Sequence, residues 1–264
     1  MNIILVEHHE ITADTITLRD RRAEHISRIL KSRPGDLLRA GIIDGPMGSA
    51  QVLAVARREV TIRLDCRQEP PAKAATALIL AIPRPIMLKR VLAQAAAMGV
   101  QRIMLINARR VEKSFFHSSQ LSPAGIRAAL LQGLEQAGDT RLPEVTLHPR
   151  FRPFIEDQLP PPRPNGPLRL LAHPTKKPVE MATASLRQSE TGPDDPLPAG
   201  NLRGAAPAAV PARRQMLAIG PEGGWVDFEI NCFAKQGFTP FSWGPRILRV
   251  DTAVPVLLAL AEAL

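Results

Sequence analysis

A glycine-rich segment late in the chain has the residue types of a ligand-binding loop. Residues 220–224 (GPEGG) follow an apolar run and precede a helix that we expect to be capped by Asp227 and to end at Gly237. Glycine lacks a Cβ atom, so this backbone can approach a ligand closely and adopt dihedral angles that other residues avoid. The following helix would add free N–H donors. The segment predicts a ligand site at the carboxyl end of a strand, although a tight turn without a ligand fits the same residues.

A second segment of this kind, residues 243–253 (WGPRILRVDTA), follows the apolar run 238–243 and leads into the last predicted helix. We expect that helix to start at Asp251 or Thr252, which places Pro255 in its first turn, where proline is tolerated. Loops at the ends of two parallel strands can converge on one site. The two segments together therefore predict a single ligand site.

The elements that would position these loops alternate between strands and helices. Continuous apolar runs predict strands buried on both faces, and they lie at 76–82, 100–106, 168–172 and 216–219. Helices that open at a proline or a capping residue and close near a glycine are expected over 85–99, about 122–137 and 227–237. This alternation predicts an α/β fold with a parallel sheet covered on both faces.

Residues 1–70 predict a separate, small β-rich domain that a linker near residue 71 joins to a second domain at 74–264. Short β-compatible runs separated by turn signals lie at 3–6, 37–43, 51–55 and 60–64. One helix, capped by Asp20, interrupts them. It carries a group of basic residues and a histidine, namely Arg21, Arg22, His25, Arg28 and Lys31. This group fits an RNA-contacting surface and a solvated helix surface equally well.

Composition narrows the class of protein. The 34 Lys and Arg residues against 25 Asp and Glu give a net charge of +9, which favours polyanionic partners such as nucleic acid. The two cysteines, Cys66 and Cys232, are too far apart for a disulfide framework or a metal-ligand spacing, so we expect a reducing cytoplasm and no metal. No apolar run reaches the ~20 residues of a membrane span. Residues 188–213, rich in Pro, Gly, Ala and Ser, predict a flexible insertion.

The two loop segments resemble the C-terminal signature of a known family, the bacterial 16S ribosomal RNA uridine-N3 methyltransferases (RsmE family). Shorter resemblances occur at 25–30 (HISRIL), 34–36 (PGD), 98–100 (MGV), 135–138 (EQAG) and 171–174 (LAHP). The chain departs from the family at 94–97 (QAAA), where the family has Lys-x-x-Glu. At the positions of Met87, Asp139 and Asp251 the family has Lys, Arg and Glu, respectively.

The resemblance implies a fold and partners that no periodicity argument supplies. It implies the SPOUT class, whose parallel sheet is tied in a deep trefoil knot, with a PUA-like β-barrel at the N-terminus. It implies S-adenosylmethionine as the methyl donor, 16S rRNA within the 30S subunit as substrate, and a homodimer formed through the apolar C-terminal helix. The residues implied to hold the cofactor are His173, Pro174, Ile219, Gly220, Pro221, Gly223, Gly224, Trp243, Gly244, Ile247, Leu248, Thr252 and Ala253.

Three residues of the loops are candidates for the methyl-transfer chemistry that the resemblance implies. Arg249 is the first candidate for a cation over the developing uracil anion, and Arg246 would position a phosphate or a uracil oxygen. Glu222 fits a general base and an N-cap of the next helix equally well. Methylation at the C5 atom would need a nucleophilic thiol, and neither cysteine has a histidine near it in sequence.

Two other functions fit the same residues. The first is a non-catalytic RNA-binding or ribosome-assembly protein on this fold, which the loss of the Lys-x-x-Glu pattern would allow. The second is a SPOUT methyltransferase that acts on tRNA or on another rRNA position. Cofactor binding discriminates the first from an enzyme, and a rescue test discriminates the second.

Overall fold

The computed structural model describes residues 1–163, 166–174 and 214–264. The chain forms two compact units. The first comprises Met1–Ala74, Arg84–Ile103 and Glu112–Val145, and the second comprises Ala75–Pro83, Met104–Val111 and Thr146–Leu264. The predicted insertion at 188–213 lies outside the described residues, and the predicted domains 1–70 and 74–264 stay a prediction.

In the described part of the chain, the first unit contains a five-stranded sheet in the order β1-β3-β4-β5-β2. Its strands are β1 (Ile4–Val6), β2 (Thr15–Leu18), β3 (Leu37–Ile42), β4 (Met47–Ala56) and β5 (Glu59–Gln68). The β1–β3 pair is parallel and the other pairs are antiparallel. One face of the sheet packs around the fully buried Ile26. The four strands expected in this region are confirmed, and β2 was not expected.

Three helices accompany this sheet in the first unit: α1 (Arg21–Glu24), α2 (Pro85–Ala97) and α3 (Pro123–Ala137). The chain continues α1 with one π-helical turn, His25–Ile29. Asp20 caps α1 as expected, since its carboxylate accepts a hydrogen bond from the Arg22 N–H at 2.9 Å. Helices α2 and α3 touch at Gly133, where an added Cβ atom would lie 2.0 Å from the carbonyl oxygen of Ala93. The expected spans of α2 and α3 are confirmed.

Among the described residues, the second sheet has six strands in the order β11-β9-β10-β6-β7-β8. They are β6 (Thr76–Ala81), β7 (Arg102–Ile106), β8 (Glu144–His148), β9 (Leu168–Ala172), β10 (Gln215–Ile219) and β11 (Thr239–Phe241). The pairs β6–β10, β9–β10 and β9–β11 are parallel. All five residues of β10 are buried, as a strand with neighbours on both faces requires. The expected α/β fold with a parallel sheet is confirmed.

The second unit also holds the helices α4 (Phe151–Pro153, followed by the π-turn Phe154–Gln158), α5 (Asp227–Lys235) and α6 (Val250–Glu262). The last turn of α6 is tied to the start of β6, because the Glu262 carboxylate accepts hydrogen bonds from the N–H groups of Ala75 (3.2 Å) and Thr76 (2.9 Å). Within the described ranges, no helix combines the length and apolar character that a membrane crossing requires.

The expected starts of the last two helices are wrong. The N-cap of α5 is Val226, and Asp227 is already the first helical residue. The Glu229 carboxylate accepts the N–H of Val226 at 2.9 Å, which is the bond that a carboxylate at the third helical position makes to the N-cap residue. Helix α6 begins at Val250 with Arg249 as its N-cap, so Pro255 lies inside the helix rather than in its first turn.

Candidate functional site

Three loops leave the carboxyl ends of three adjacent parallel strands in the second unit. Strand β9 leads into 173–174, β10 into 220–224 and β11 into 242–249. Because β9 pairs in parallel with both neighbours, the three loops start at the same edge of the sheet. The His173 N–H donates to the carbonyl oxygen of Phe241 at 3.2 Å, which joins two of the loops at their base. Such an edge is where α/β sheets bind ligands.

The glycine loop is seated on a buried indole. A Cβ atom at Gly220 would lie 3.1 Å from Cε2 of Trp225, so the main chain lies against the ring and a side chain here would be in tight contact with it. Trp225 is 5% exposed and packs edge-on against Phe233 with ring centroids 5.0 Å apart. Gly224 has φ +73°, and its N–H closes a turn on the Pro221 carbonyl oxygen at 2.8 Å. Glycine is favoured at that φ.

Two buried polar atoms in these loops have no hydrogen-bond partner among the residues that the structure describes. They are the indole Nε1 of Trp225 and the hydroxyl Oγ of Ser242. Buried polar groups are nearly always hydrogen-bonded, since an unpaired group costs about 1–3 kcal/mol. A ligand bound at these loops can form hydrogen bonds with these two atoms.

The loop after β11 exposes large apolar side chains beside two cations. Trp243 is 57% exposed and Ile247 is 86% exposed, whereas Leu248 is half-buried. The arginines Arg246 and Arg249 are both exposed. These exposed apolar side chains beside two cations could contact a ligand or a partner.

The other residues predicted for the cofactor lie at the end of β10, in these loops or in the first turn of α6. Ile219, Pro221 and Gly244 are buried, Gly223 and Pro174 are exposed, and His173 is half-buried. Thr252 and Ala253 lie in the first turn of α6, where both N–H groups donate to the carbonyl oxygen of Arg249, at 2.9 and 2.7 Å. Their contact with a cofactor stays a prediction.

The structure narrows the roles of two charged residues. Glu222 is exposed and does not cap α5, because the cap is Val226 and Glu229 serves it; the capping alternative is therefore wrong. Arg249 is the N-cap residue of α6, with its Nε 3.6 Å from Oδ1 of Asp251. Its guanidinium is 74% exposed, so it can reach a bound substrate.

Sequence reasoning missed three residues at this site: Trp225, Arg110 and Glu229. Trp225 directly follows the glycine run, and Arg110 lies four residues beyond the end of β7, where polar residues often serve a site at the sheet edge. Glu229 is 2% exposed, and its position three residues into α5 is the signal of a capping carboxylate.

The predicted RNA-contacting residues lie in the first unit, and two of them are engaged inside it. Arg21 pairs with Glu135, and Arg22 binds Glu10, Asp20 and the carbonyl oxygen of Leu5. The remaining members of the group are Arg28, which is exposed and pairs with Glu24 at 2.7 Å, the exposed Lys31, and the half-buried His25. RNA contact by any of these residues stays a prediction.

The two cysteines have the properties of packed thiols. Burial raises the pKa of both the Cys66 and the Cys232 thiols above the ordinary value, so both stay protonated near neutral pH. Within the described residues, no group of three His, Cys, Asp or Glu side chains is placed to hold a metal ion. The raised pKa values of the two thiols disfavour a thiol nucleophile.

Comparison with known proteins identifies the family. A family model for an RNA methyltransferase domain matches residues 70–262. The ribosomal RNA small subunit methyltransferase E of Treponema pallidum is 30% identical over 270 residues, which cover 100% of this chain and 92% of that protein. The chain belongs to the small subunit methyltransferase E family. The Synechocystis member is 27% identical over 272 residues, covering 99% of this chain and 77% of that protein.

Solved structures share the fold. A small subunit methyltransferase E from Neisseria gonorrhoeae, bound to S-adenosyl methionine, superposes with a TM-score of 0.67 at 19% identity, over 98% of this chain and 95% of that one. A Legionella pneumophila methyltransferase structure with bound cofactor gives a TM-score of 0.69 at 22% identity, over 99% and 97% of the two chains. The resemblance drawn from the two loop segments is confirmed, while the knot and the PUA-like barrel stay predictions.

Proposed function

We propose that this member of the methyltransferase E family transfers a methyl group from S-adenosylmethionine to N3 of a uridine in 16S rRNA of the small ribosomal subunit. The observation that carries the proposal is the match along the whole chain to a ribosomal RNA small subunit methyltransferase E. The three loops at one edge of the second sheet supply a site to which that activity can be assigned.

The loop residues fit S-adenosylmethionine by their chemistry. The cofactor is rich in polar groups that can pair with Trp225 Nε1 and Ser242 Oγ, which have no partner within the described ranges. Glycines at 220, 223 and 224 allow the main chain to lie close to it, and the buried Ile219 and half-buried Leu248 supply apolar walls for the adenine. The remaining predicted contacts, from His173 to Ala253, belong to this proposal.

When bound, S-adenosylmethionine supplies an electrophilic methyl group on a sulfonium. The uridine N3 atom carries a proton and is a poor nucleophile until that proton leaves. Residues of the three loops would hold this cofactor, and it would supply the methyl group that N3 takes up. We assign Arg249 to stabilise the negative charge that develops on the uracil, Arg246 to hold a phosphate or uracil oxygen, and Glu222 to accept the proton.

The test is a calorimetric titration of the purified protein with S-adenosylmethionine, followed by methylation of 30S subunits that lack the uridine-N3 methyl group. We expect micromolar binding and one methyl group on N3, located by mass spectrometry. Trp225→Phe and Ser242→Ala should each weaken binding about three- to tenfold, as loss of one hydrogen bond does.

Ser27→Ala is the matched control, because it removes a hydroxyl that bonds within the first unit. No binding at millimolar cofactor, with 30S subunits present, would overturn the proposal and favour the non-catalytic RNA-binding protein. Binding with methylation of tRNA or another rRNA position instead would favour the other SPOUT activity.

We also propose a homodimer formed through α6, in the cytoplasm where 30S subunits are found. One face of the helix packs in the second unit through Val254, Leu257 and Leu258. The other face carries the half-buried Val256 and Leu260 beside small residues, so apolar surface remains uncovered on it. Light scattering should give twice the chain mass, and Val256→Glu should give a folded monomer.

The RNA surface that we propose consists of His25, Arg28 and Lys31. Arg21 and Arg22 are left out of it: Arg21 is paired with the buried Glu135 carboxylate, and the Arg22 side chain is 11% exposed and bound to two carboxylates. A cation that is already paired and desolvated gains little from a phosphate.

A further inference from the structure

The segment after β7 is tied to the glycine loop by the side chain of Arg110. Its Nη1 atom donates a hydrogen bond to the carbonyl oxygen of Gly223. Its aliphatic stem covers the same residue, since a Cβ atom at Gly223 would lie 3.0 Å from Cδ and 3.3 Å from Cβ of Arg110. The Arg110 side chain therefore forms a hydrogen bond with Gly223 and also packs over it.

A second tether joins the same two segments through a buried carboxylate. Oε1 of Glu229 accepts the N–H of Arg109 at 2.7 Å, and Oε2 accepts the N–H of Val226 at 2.9 Å. Glu229 is 2% exposed, and charge-assisted bonds of this kind are strong in a buried setting. The base of the segment is thereby held at the end of the glycine loop, which places Arg110 over Gly223.

The peptide between Gly223 and Gly224 is fixed at both of its polar groups. Its carbonyl oxygen accepts from Arg110, and its N–H donates to the carbonyl oxygen of Pro221 at 2.8 Å. A peptide plane held at both ends cannot rotate without breaking a hydrogen bond. The orientation of the neighbouring peptides of the glycine loop then depends on Arg110.

We propose that Arg110 is a positioning residue of the methyl-transfer site: it holds the glycine loop in its binding conformation from the segment after β7. The proposal rests on the proposed function for its catalytic consequence. Displacement of a reacting group by about 1 Å can cost about 100-fold in rate, so a loop that loses this tether should bind the cofactor weakly and align it poorly.

The test uses Arg110→Met, which keeps the aliphatic stem and removes the donor, and Arg110→Lys, which restores a donor and the charge. Lys113→Met is the control, because it removes an exposed cation three residues further along. Hydrogen–deuterium exchange of residues 220–226, without cofactor, should be about tenfold faster in Arg110→Met, largely restored in Arg110→Lys and unchanged in the control.

Function is measured on the same variants. Arg110→Met should weaken S-adenosylmethionine binding about tenfold and lower kcat, and leave KM for 30S subunits unchanged. Unchanged exchange in Arg110→Met would overturn the proposal whatever the cofactor result. A raised KM for 30S subunits with unchanged cofactor binding would also overturn it, since Arg110 would then be an RNA contact. Faster exchange in Arg110→Met, together with a wild-type protein that binds no cofactor, would support the tether and reject the proposed function.

A double-mutant cycle gives an independent check. Gly223→Ala places a methyl group against the Arg110 stem, whereas Arg110→Ala removes that stem. The cofactor Kd of the double variant should therefore change less than the product of the two single changes. Independent, multiplicative effects would show that Gly223 does not need Arg110, which contradicts the proposal.

Discussion

The carboxylate of Glu135, near the end of α3, binds the guanidinium of Arg21 on α1 through both of its oxygens. The Nη1–Oε2 distance is 2.9 Å, and the Glu135 side chain is only 6% exposed. The hydrogen bonds that Arg21 donates to this carboxylate raise the pKa of Arg21 above its ordinary value. Both residues were singled out from the sequence for other reasons, Arg21 as an RNA contact and Glu135 as part of a family motif. In the structure the two side chains form an ion pair with each other.

We therefore expect Arg21→Ala to act mainly on stability. Removing the guanidinium leaves the Glu135 carboxylate buried without its partner, which costs roughly 3–5 kcal/mol for a fully buried pair. Because Arg21 itself is 59% exposed, we expect about 2 kcal/mol. Urea unfolding of Arg21→Ala, Glu135→Gln and the double variant measures this. A double variant no less stable than either single variant supports the pairing, and an unchanged free energy of unfolding in Arg21→Ala contradicts it.

Arg28→Ala should behave in the opposite way. Its guanidinium is 72% exposed and pairs with Glu24 across one helical turn, an interaction worth about 0.3–0.5 kcal/mol. If Arg28 contacts a phosphate, the variant should bind 16S rRNA less tightly, and the salt dependence of the affinity should lose about one unit of slope. Binding measured at several salt concentrations decides this, with the exposed Arg67 as the control position. An unchanged slope would mean that the helix surface is only solvated.

Glu10 should make the stability of the first unit depend on pH. The hydrogen bond from Arg22 lowers the pKa of Glu10 below its ordinary value of 4.5. The folded state thus holds the proton less tightly than the unfolded state does. The stabilisation is complete above pH 4.5 and is lost as the pH falls through the lowered value. Urea unfolding between pH 7 and pH 3 should show a smaller loss in Glu10→Gln than in the wild type. An equal loss in both proteins would exclude Glu10 as the source.

Arg249→Ala should separate catalysis from binding. If this cation stabilises charge that develops only during methyl transfer, its removal should lower kcat about 100-fold and leave the cofactor affinity nearly unchanged. Arg249→Lys should recover part of the rate, since it keeps a cation at the N-terminus of α6. Single-turnover methylation together with calorimetry measures both quantities. A change confined to the Kd of S-adenosylmethionine would place Arg249 in cofactor binding.

The glycine loop and the loop after β11 could be predicted because their signals are local. Apolar strand, glycine turn and helix follow one another directly, and the parallel sheet follows from their repetition. The tether from Arg110 could not be predicted, because its partner Gly223 lies 113 residues away in sequence. The pairing of Arg22 with Glu10 could not be predicted either, because Glu10 belongs to a short 3-10 helix that no hydrophobic pattern marks.

The helix starts were missed for a different reason. Asp227 has the side chain of a good N-cap, but Glu229, two residues later, suits the third helical position, from which it accepts the N–H of an N-cap at Val226; the sequence does not say which residue is the N-cap. Strand β2 was missed because Thr15–Leu18 has only two buried residues, Ile16 and Leu18, which is too short an alternation to stand out.

The position of β10 in the second sheet determines when that sheet can form during synthesis of the chain. Strand β10 lies between β6 and β9, and its residue Leu217 pairs with Leu78, 139 positions earlier. Until residue 219 has left the ribosome, one edge of the nascent β6 has no partner strand and can recruit another chain instead. We therefore expect a chain arrested between β6 and β10 to be prone to aggregation, and this protein to depend on chaperones until β10 has been made.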